Sequence, residues 1–202
     1  MNFNIPFWGL MLLALAASAG VSFAATPLVK NLAIRVGAVD VPKDNRRMHK
    51  VPIPRLGGLA IATSFILCVL IFAEVDYQIQ GILMGAVMIV VIGVMDDIMT
   101  LKAVPKFIVQ ILAACVVVSH GCRIQYLSNP ILTSSQRYLD LGAWSGPVTV
   151  IWIVAITNAV NFIDGLDGLA VGVSAISSAT LLVIALLVAE PNIALVMMIL
   201  LG

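Results

Sequence analysis

IQGILMGAVMIVVIGVMDD, residues 79–97, holds no charge until it ends on the carboxylates of Asp96 and Asp97. About 17 to 23 apolar residues suffice for a helix to cross a ~30 Å hydrocarbon core. Comparable runs cover 7–29, 57–73, 104–120 and 169–189, a shorter one covers 148–160, and a partial one starts at Ile193. Hydrophobic residues make up 61% of the 202-residue chain and charged residues 10%, against about a quarter charged in soluble domains. None of the runs alternates with the period of two that a membrane barrel requires. The expected fold is therefore all-α: a polytopic transmembrane helix bundle of about six full spans plus a partial seventh. It forms a single transmembrane domain over 1–202, with polar loops at about 30–56, 96–106 and 161–168.

Charge distribution sets the expected orientation. The net charge of +1 excludes no partner class by itself, and nothing in the chain suggests nucleic acid. Nine of the eleven basic residues fall after the first run (Lys30, Arg35, Lys43, Arg46, Arg47, Lys50, Arg55) or after the third (Lys102, Lys106). Two crossings separate those loops, so both face the same side, and the excess of Lys and Arg makes it the cytosol. The N-terminus is then outside, together with Glu74, Asp76, Arg123, Arg137, Asp140 and Glu190. The first run lacks a basic segment ahead of it and is long for a signal peptide, so it reads as a span. Cys68, Cys115 and Cys122 form no disulfide or zinc pattern and read as packing residues.

Three constellations gather on the expected cytosolic side. The first runs from Asp40 to Gly58, with prolines at 42, 52 and 54, the basic residues Lys43, Arg46, Arg47, Lys50 and Arg55, His49, and a Gly57-Gly58 pair. The prolines oppose a continuous helix, and the cations suit phosphate groups. The glycines could let backbone approach a ligand or a neighbouring helix. A plain juxtamembrane basic stretch meeting anionic lipid also fits. The second is Gly93-x-x-Asp96-Asp97, followed by Lys102 and Lys106. Adjacent carboxylates repel, which calls for a nearby cation. Hard oxygen donors suit magnesium, and one of the pair could instead serve as a general base. The bland alternative is a solvated helix end.

The third constellation is NAVNFIDGLDGLA, residues 158–170, which repeats Asn158, Asn161, Asp164 and Asp167 every third position. Neighbouring members share a helix face, until Gly165 and Gly168 open the helix. Four oxygen-bearing side chains beside glycines suit a metal–diphosphate site. A capped turn would explain two or three of the four. Trp8, Trp144, Trp152 and His120 read as interfacial residues, and Ser174, Ser177 and Ser178 as helix-packing residues.

In this order the three constellations resemble the polyprenyl-phosphate N-acetylhexosamine-1-phosphate transferase family, also called glycosyltransferase family 4. Gln110 joins Lys106 in the second motif, and NAVNFIDGLDGLA is close to the family signature. The basic loop is more similar to the WecA- and TagO-type enzymes, which use UDP-GlcNAc, than to the MraY-type muramoyl-pentapeptide enzymes. The resemblance implies magnesium-dependent transfer of a sugar-1-phosphate, GlcNAc-1-phosphate first among them, from a UDP-sugar to undecaprenyl phosphate with release of UMP. Manganese is the alternative ion. Asp96 and Asp97 are then catalytic, with Asp96 the candidate base. Lys43, Arg46, His49, Lys106, Asp164 and Asp167 bind substrate, and Asn161 positions the metal or the diphosphate. The setting implied is a bacterial inner membrane with the active face cytosolic, in synthesis of an envelope glycan such as lipopolysaccharide or teichoic acid. A homodimer is compatible with it.

Family members carry further helices, another cytosolic metal-ligating aspartate and a histidine-rich loop. The chain is therefore expected to be the N-terminal part of a larger transferase, inactive alone. Three rival readings keep different parts of the pattern: the muramoyl-pentapeptide donor, an ion or proton transporter with carboxylates in the membrane, and a non-catalytic membrane remnant.

Overall fold

The computed structural model describes residues 6–40, 53–129, 137–166 and 168–202. It is a helical protein with two short antiparallel ribbons. The elements are α1 (Phe7–Val36), β1 (Val39–Asp40), β2 (Ile53–Pro54), α2 (Gly57–Phe72), α3 (Tyr77–Met99), α4 (Ala103–Ser119), β3 (Tyr126–Ser128), β4 (Tyr138–Asp140), α5 (Ser145–Ile163), α6 (Leu169–Leu187) and α7 (Pro191–Leu201). A 3-10 turn at Gly142–Trp144 leads into α5.

Four stretches are long and apolar enough to cross a membrane: Phe7–Val36, Tyr77–Met99, Gly142–Ile163 and Leu169–Leu187. α2, α4 and α7 are apolar but shorter, at 16, 17 and 11 residues. The all-α membrane bundle read from the apolar runs is the fold observed. The expected boundaries change at three polar joints. α1 continues past Val29 to Val36, so Lys30 and Arg35 lie on a helix and not in a loop. α3 continues past Met95 to Met99, which puts Asp96 and Asp97 in its last turn. α5 runs on to Ile163, so Asn161 is helical and Asp164 is the cap.

The end of α1 follows from Gly37. It sits at φ 75, and its N–H reaches the Ile34 carbonyl at 3.4 Å while the Ala38 N–H reaches that of Ala33 at 2.9 Å. This pair of bonds is a Schellman ending, which needs the left-handed conformation glycine adopts at little cost. Ala33 and Ala38 are both buried beneath it.

Contacts divide the chain into two compact units. The first comprises Met1–Val75, Val90–Leu101 and Leu166–Gly202. Within it α1 packs on α2 and α7, and α7 packs on α6 and α2. Small residues bring α1 and α2 together: Ala14, Ser18, Ala60 and Ser64 are all buried. The Ser64 hydroxyl donates to the Ser18 carbonyl at 2.6 Å across the two helices, the kind of polar link that small-residue interfaces in membranes allow. Asn192 at the start of α7 holds Glu74 beyond α2 from both sides, its Oδ1 accepting at 3.0 Å and its Nδ2 donating at 2.8 Å.

The second unit comprises Asp76–Ile89 and Lys102–Gly165. Its α3 portion presents Gly81 and Gly85 to α4. A Cβ on Gly81 would collide with the His120 side chain, and one on Gly85 would lie 2.8 Å from Val117 Cγ2. α4 and α5 pack together. They are antiparallel: the start of α5 (Gly146) meets Val118 near the end of α4, and Asn158 late in α5 meets Gln110 early in α4. Of the cysteines, Cys68 is buried and Cys122 half-buried. Cys115 is exposed and is not the packing residue its apolar surroundings suggested, because α4 turns Ala113, Ala114 and Val118 inward instead.

Candidate functional site

In the first unit the aspartate pair is built on the last turn of α3. Val94, one turn earlier than Asp97, packs against Ala33, Ala38 and Leu56, the small core at the root of the basic loop. That root is closed by β1 pairing with β2, Val39 opposite Pro54 and Asp40 opposite Ile53. The Arg55 N–H donates to the Ala38 carbonyl at 3.0 Å. The chain therefore leaves and re-enters one place beside α3. Residues 41–52, with Lys43, Arg46 and His49, lie outside the described residues.

Asp96 and Asp97 are both half-buried. Asp96 does structural work as well as presenting charge: its Oδ1 accepts the Leu101 N–H at 2.9 Å, and its carbonyl accepts the Thr100 N–H at 2.8 Å. Thr100 turns at φ 46, and these two bonds hold the tight exit from the helix. Two carboxylates at the negative end of a helix dipole make a local field that favours a cation. Both offer hard oxygen donors, which fit magnesium, an ion held through one or two carboxylates with its remaining positions left to water and substrate phosphates. No group of three or more His, Cys, Asp or Glu comes together among the described residues.

Beside the loop root lies a cavity of about 270 Å³, lined by Thr26, Val29 and Lys30 of α1 and by Pro54, Leu56 and Gly57. Lys30 had figured only as a topology signal. Its spacing from Thr26 and Ala33 on one stripe of α1 is the sequence signal for the wall it forms. Among the described residues no helix approaches Gly57 or Gly58, since a Cβ on either would meet nothing within 4 Å. Gly57 lines the cavity.

In the second unit, the first turn of α4 carries Lys106, half-buried, after Lys102 at the N-cap. A helix N-terminus with two lysines favours anions. Gln110, one turn on, accepts from Asn158 Nδ2 at 2.7 Å, and the same nitrogen donates to the Val154 carbonyl at 2.8 Å. Both amide protons of Asn158 are spent in this way, so it fastens α4 to α5. Asn161 follows one turn later, exposed, at about the same level along the helix pair as Lys106, since each lies three or four residues beyond the Gln110–Asn158 bond. Asp164 caps α5 at φ -77, ψ 47 and is exposed. In the first unit, Gly168 enters α6 at φ 78, a left-handed conformation that glycine adopts at little cost. Asp167 lies outside the described residues.

Residues 79–202 match the model of the family described as glycosyl transferase family 4. The chain is 46% identical over 164 residues to a probable undecaprenyl-phosphate N-acetylglucosaminyl 1-phosphate transferase of Bacillus subtilis (strain 168), covering 80% of this chain and 44% of that protein. It is 35% identical over 184 residues to a decaprenyl-phosphate N-acetylglucosaminephosphotransferase of Mycobacterium tuberculosis (strain ATCC 25618 / H37Rv), covering 87% and 45%. A phospho-N-acetylmuramoyl-pentapeptide-transferase of Thermoanaerobacter sp. (strain X514) is 33% identical over 144 residues, covering 66% and 45%. The chain spans less than half the length of these relatives. With a match over more than half its residues, the chain belongs to glycosyl transferase family 4.

Proposed function

We propose that this chain serves a membrane enzyme that transfers GlcNAc-1-phosphate from UDP-GlcNAc to undecaprenyl phosphate, releasing UMP. The observation that carries this reading is the gradient of similarity: 46% identity over 80% of the chain to a GlcNAc-1-phosphate transferase, against 33% over 66% to a muramoyl-pentapeptide enzyme. The placement of the acids supports it. Every Asp and Glu among the described residues lies within a turn of a helix end or outside the helices. A transporter path would call for carboxylates at membrane depth.

In the proposed reaction an oxygen of the lipid phosphate attacks the sugar-proximal phosphorus of the donor. A new diphosphate bond forms, and the bond to UMP breaks, its electron pair leaving with the UMP phosphate. Asp96 accepts the proton when the lipid phosphate arrives protonated. Asp97 adds negative charge to hold a cation. Lys106, at the positive end of α4, holds a phosphate oxygen, with Asn161 level with it on α5. Lys43, Arg46 and His49 in the basic loop, together with Asp164 and Asp167, handle the nucleotide-sugar. Magnesium, when bound, supplies charge neutralisation on the diphosphate and the departing UMP. The active face is cytosolic, where the nucleotide donor is found, and holding both phosphates at one membrane face supplies proximity.

The experiment is donor competition in membranes expressing the complete gene to which this chain belongs. Labelled UDP-GlcNAc and UDP-MurNAc-pentapeptide are offered with undecaprenyl phosphate and magnesium. Lipid-linked GlcNAc with magnesium-dependent UMP release is expected. Transfer of the muramoyl donor alone would move the protein to the other branch of the family, and transfer of neither would remove the reading.

A further inference from the structure

The ribbon β3–β4 takes no part in the proposed chemistry, and its construction is unusual. Its base is fixed. The Ile124 N–H donates to Thr149 Oγ1 at 2.8 Å, the Ser145 hydroxyl donates to the Ile124 carbonyl at 2.7 Å, and Thr149 donates on to the Ser145 carbonyl at 2.6 Å. Ser145 and Thr149 are buried, which sets these bonds away from competing solvent. The Leu141 N–H reaches the Gln125 carbonyl at 3.0 Å, and the Gly142 N–H reaches Asp140 Oδ1 at 2.9 Å. The first turns of α5 thus carry the ribbon as a rigid projection.

Both strands are nevertheless exposed along their whole length. The register places Leu127 opposite Leu139, while Tyr126 faces Asp140 and Ser128 faces Tyr138. With side chains alternating across a strand, one face carries the two leucines. The other carries both tyrosines with Ser128 and Asp140. Leu127 and Leu139 are 44% and 43% exposed, and Trp144 just beyond is 71% exposed. A two-stranded ribbon is marginal in water on its own, so a leucine face held open in this way calls for a cover.

We propose that the cover is the lipid surface: β3–β4 lies in the bilayer interface on the leaflet opposite Lys102 and Lys106, leucine face down. Three observations select lipid. The ribbon leads into α5, which with its preceding turn is long and apolar enough to cross a membrane, so the base of the ribbon lies at the membrane boundary. Trp144 at its base is a residue type that settles at headgroup level, and Arg123 and Arg137 flank it with positive charge for anionic headgroups. Its apolar face, two leucines and a neighbouring tryptophan, is far smaller than the ~800 Å² per partner of a stable protein interface, which disfavours a second copy of the chain.

The test places an environment-sensitive fluorophore at either face: Leu139→Cys, or Ser128→Cys as its opposite, each with Cys115→Ser and Cys122→Ser, Cys68 being buried. The protein is reconstituted in vesicles of phosphatidylglycerol and phosphatidylethanolamine. Expected at 139 is a blue-shifted emission, mostly lost to brominated lipid and little affected by aqueous iodide. Position 128 should show the reverse. A label at 139 that iodide quenches as well as it quenches the one at 128 would overturn the proposal. So would a signal at 139 that disappears on dilution into excess lipid, because that cover would be a second copy.

Discussion

Asp96 holds the exit of α3, and substitution can separate that bond from the base role proposed for it. Asparagine retains a side-chain oxygen for the Leu101 N–H, so Asp96→Asn should keep the exit of α3 while removing the base. Transfer should be abolished with membrane insertion and thermal stability unchanged. Asp96→Ala should lose transfer and in addition about 1 kcal/mol of stability, the usual net worth of such a bond, visible as a lower melting temperature in detergent. Activity surviving in Asp96→Asn would remove the base assignment. Cys122 allows a second test at this scale. Burial first, and the negative charge of Asp76 second, push its thiol above the ordinary range. Only the thiolate reacts, so at pH 8 labelling should be slower than for a thiol in unfolded chain, and the rate should rise as pH climbs through the raised value. Asp76→Asn keeps the oxygen that accepts the Ile79 N–H at 2.8 Å and deletes the charge, so labelling at pH 8 should become faster. An unchanged rate would exclude the charge as a cause. The Asp96–Asp97 pair was legible in the sequence as a candidate, because an acidic pair closing an apolar run is conspicuous. The bond of Asp96 to Leu101 was not, since a side-chain-to-backbone link five residues away leaves no compositional trace.

At the level of elements, the helices were legible and their ends less so. Hydropathy marks where apolar residues stop, but a helix stops where its last carbonyls are satisfied. Hence α1 runs beyond its apolar stretch to Gly37, and α5 beyond Val160 to Asp164. Gly37 was the available signal, one that a hydropathy reading passes over. Close approach of α3 and α4 depends on Gly81 and Gly85. Gly85→Leu should force them apart at a cost of about 1–3 kcal/mol, the range for overpacking, with lowered thermal stability as the readout. A variant as stable as the parent would contradict the contact. Asn158→Ala should be milder, about 0.6 kcal/mol for one interhelical bond in a membrane protein. Asn158 was read with the site because it keeps step with Asn161 and Asp164. The period of three identifies a shared face but does not reveal that Gln110 takes up that face's first member.

For the whole molecule, the membrane class follows from composition and the family from three motifs in order, and both agree with the structure and the relatives. Less of the site was legible, because the basic loop from 41 to 52 and Asp167 lie outside the described residues and their roles rest on motif likeness alone. Orientation is testable without any chemistry: a membrane-impermeant thiol reagent added outside intact cells should reach Cys122 and not a cysteine introduced at Lys102. The measurement closest to the central claim is transfer itself. In membranes expressing the complete gene to which this chain belongs, labelled GlcNAc-1-phosphate should pass from UDP-GlcNAc to undecaprenyl phosphate with equimolar UMP, and the Asp96→Asn protein, inserted at the same level, should transfer none. Equal transfer by both proteins, or none by the parent, would contradict it.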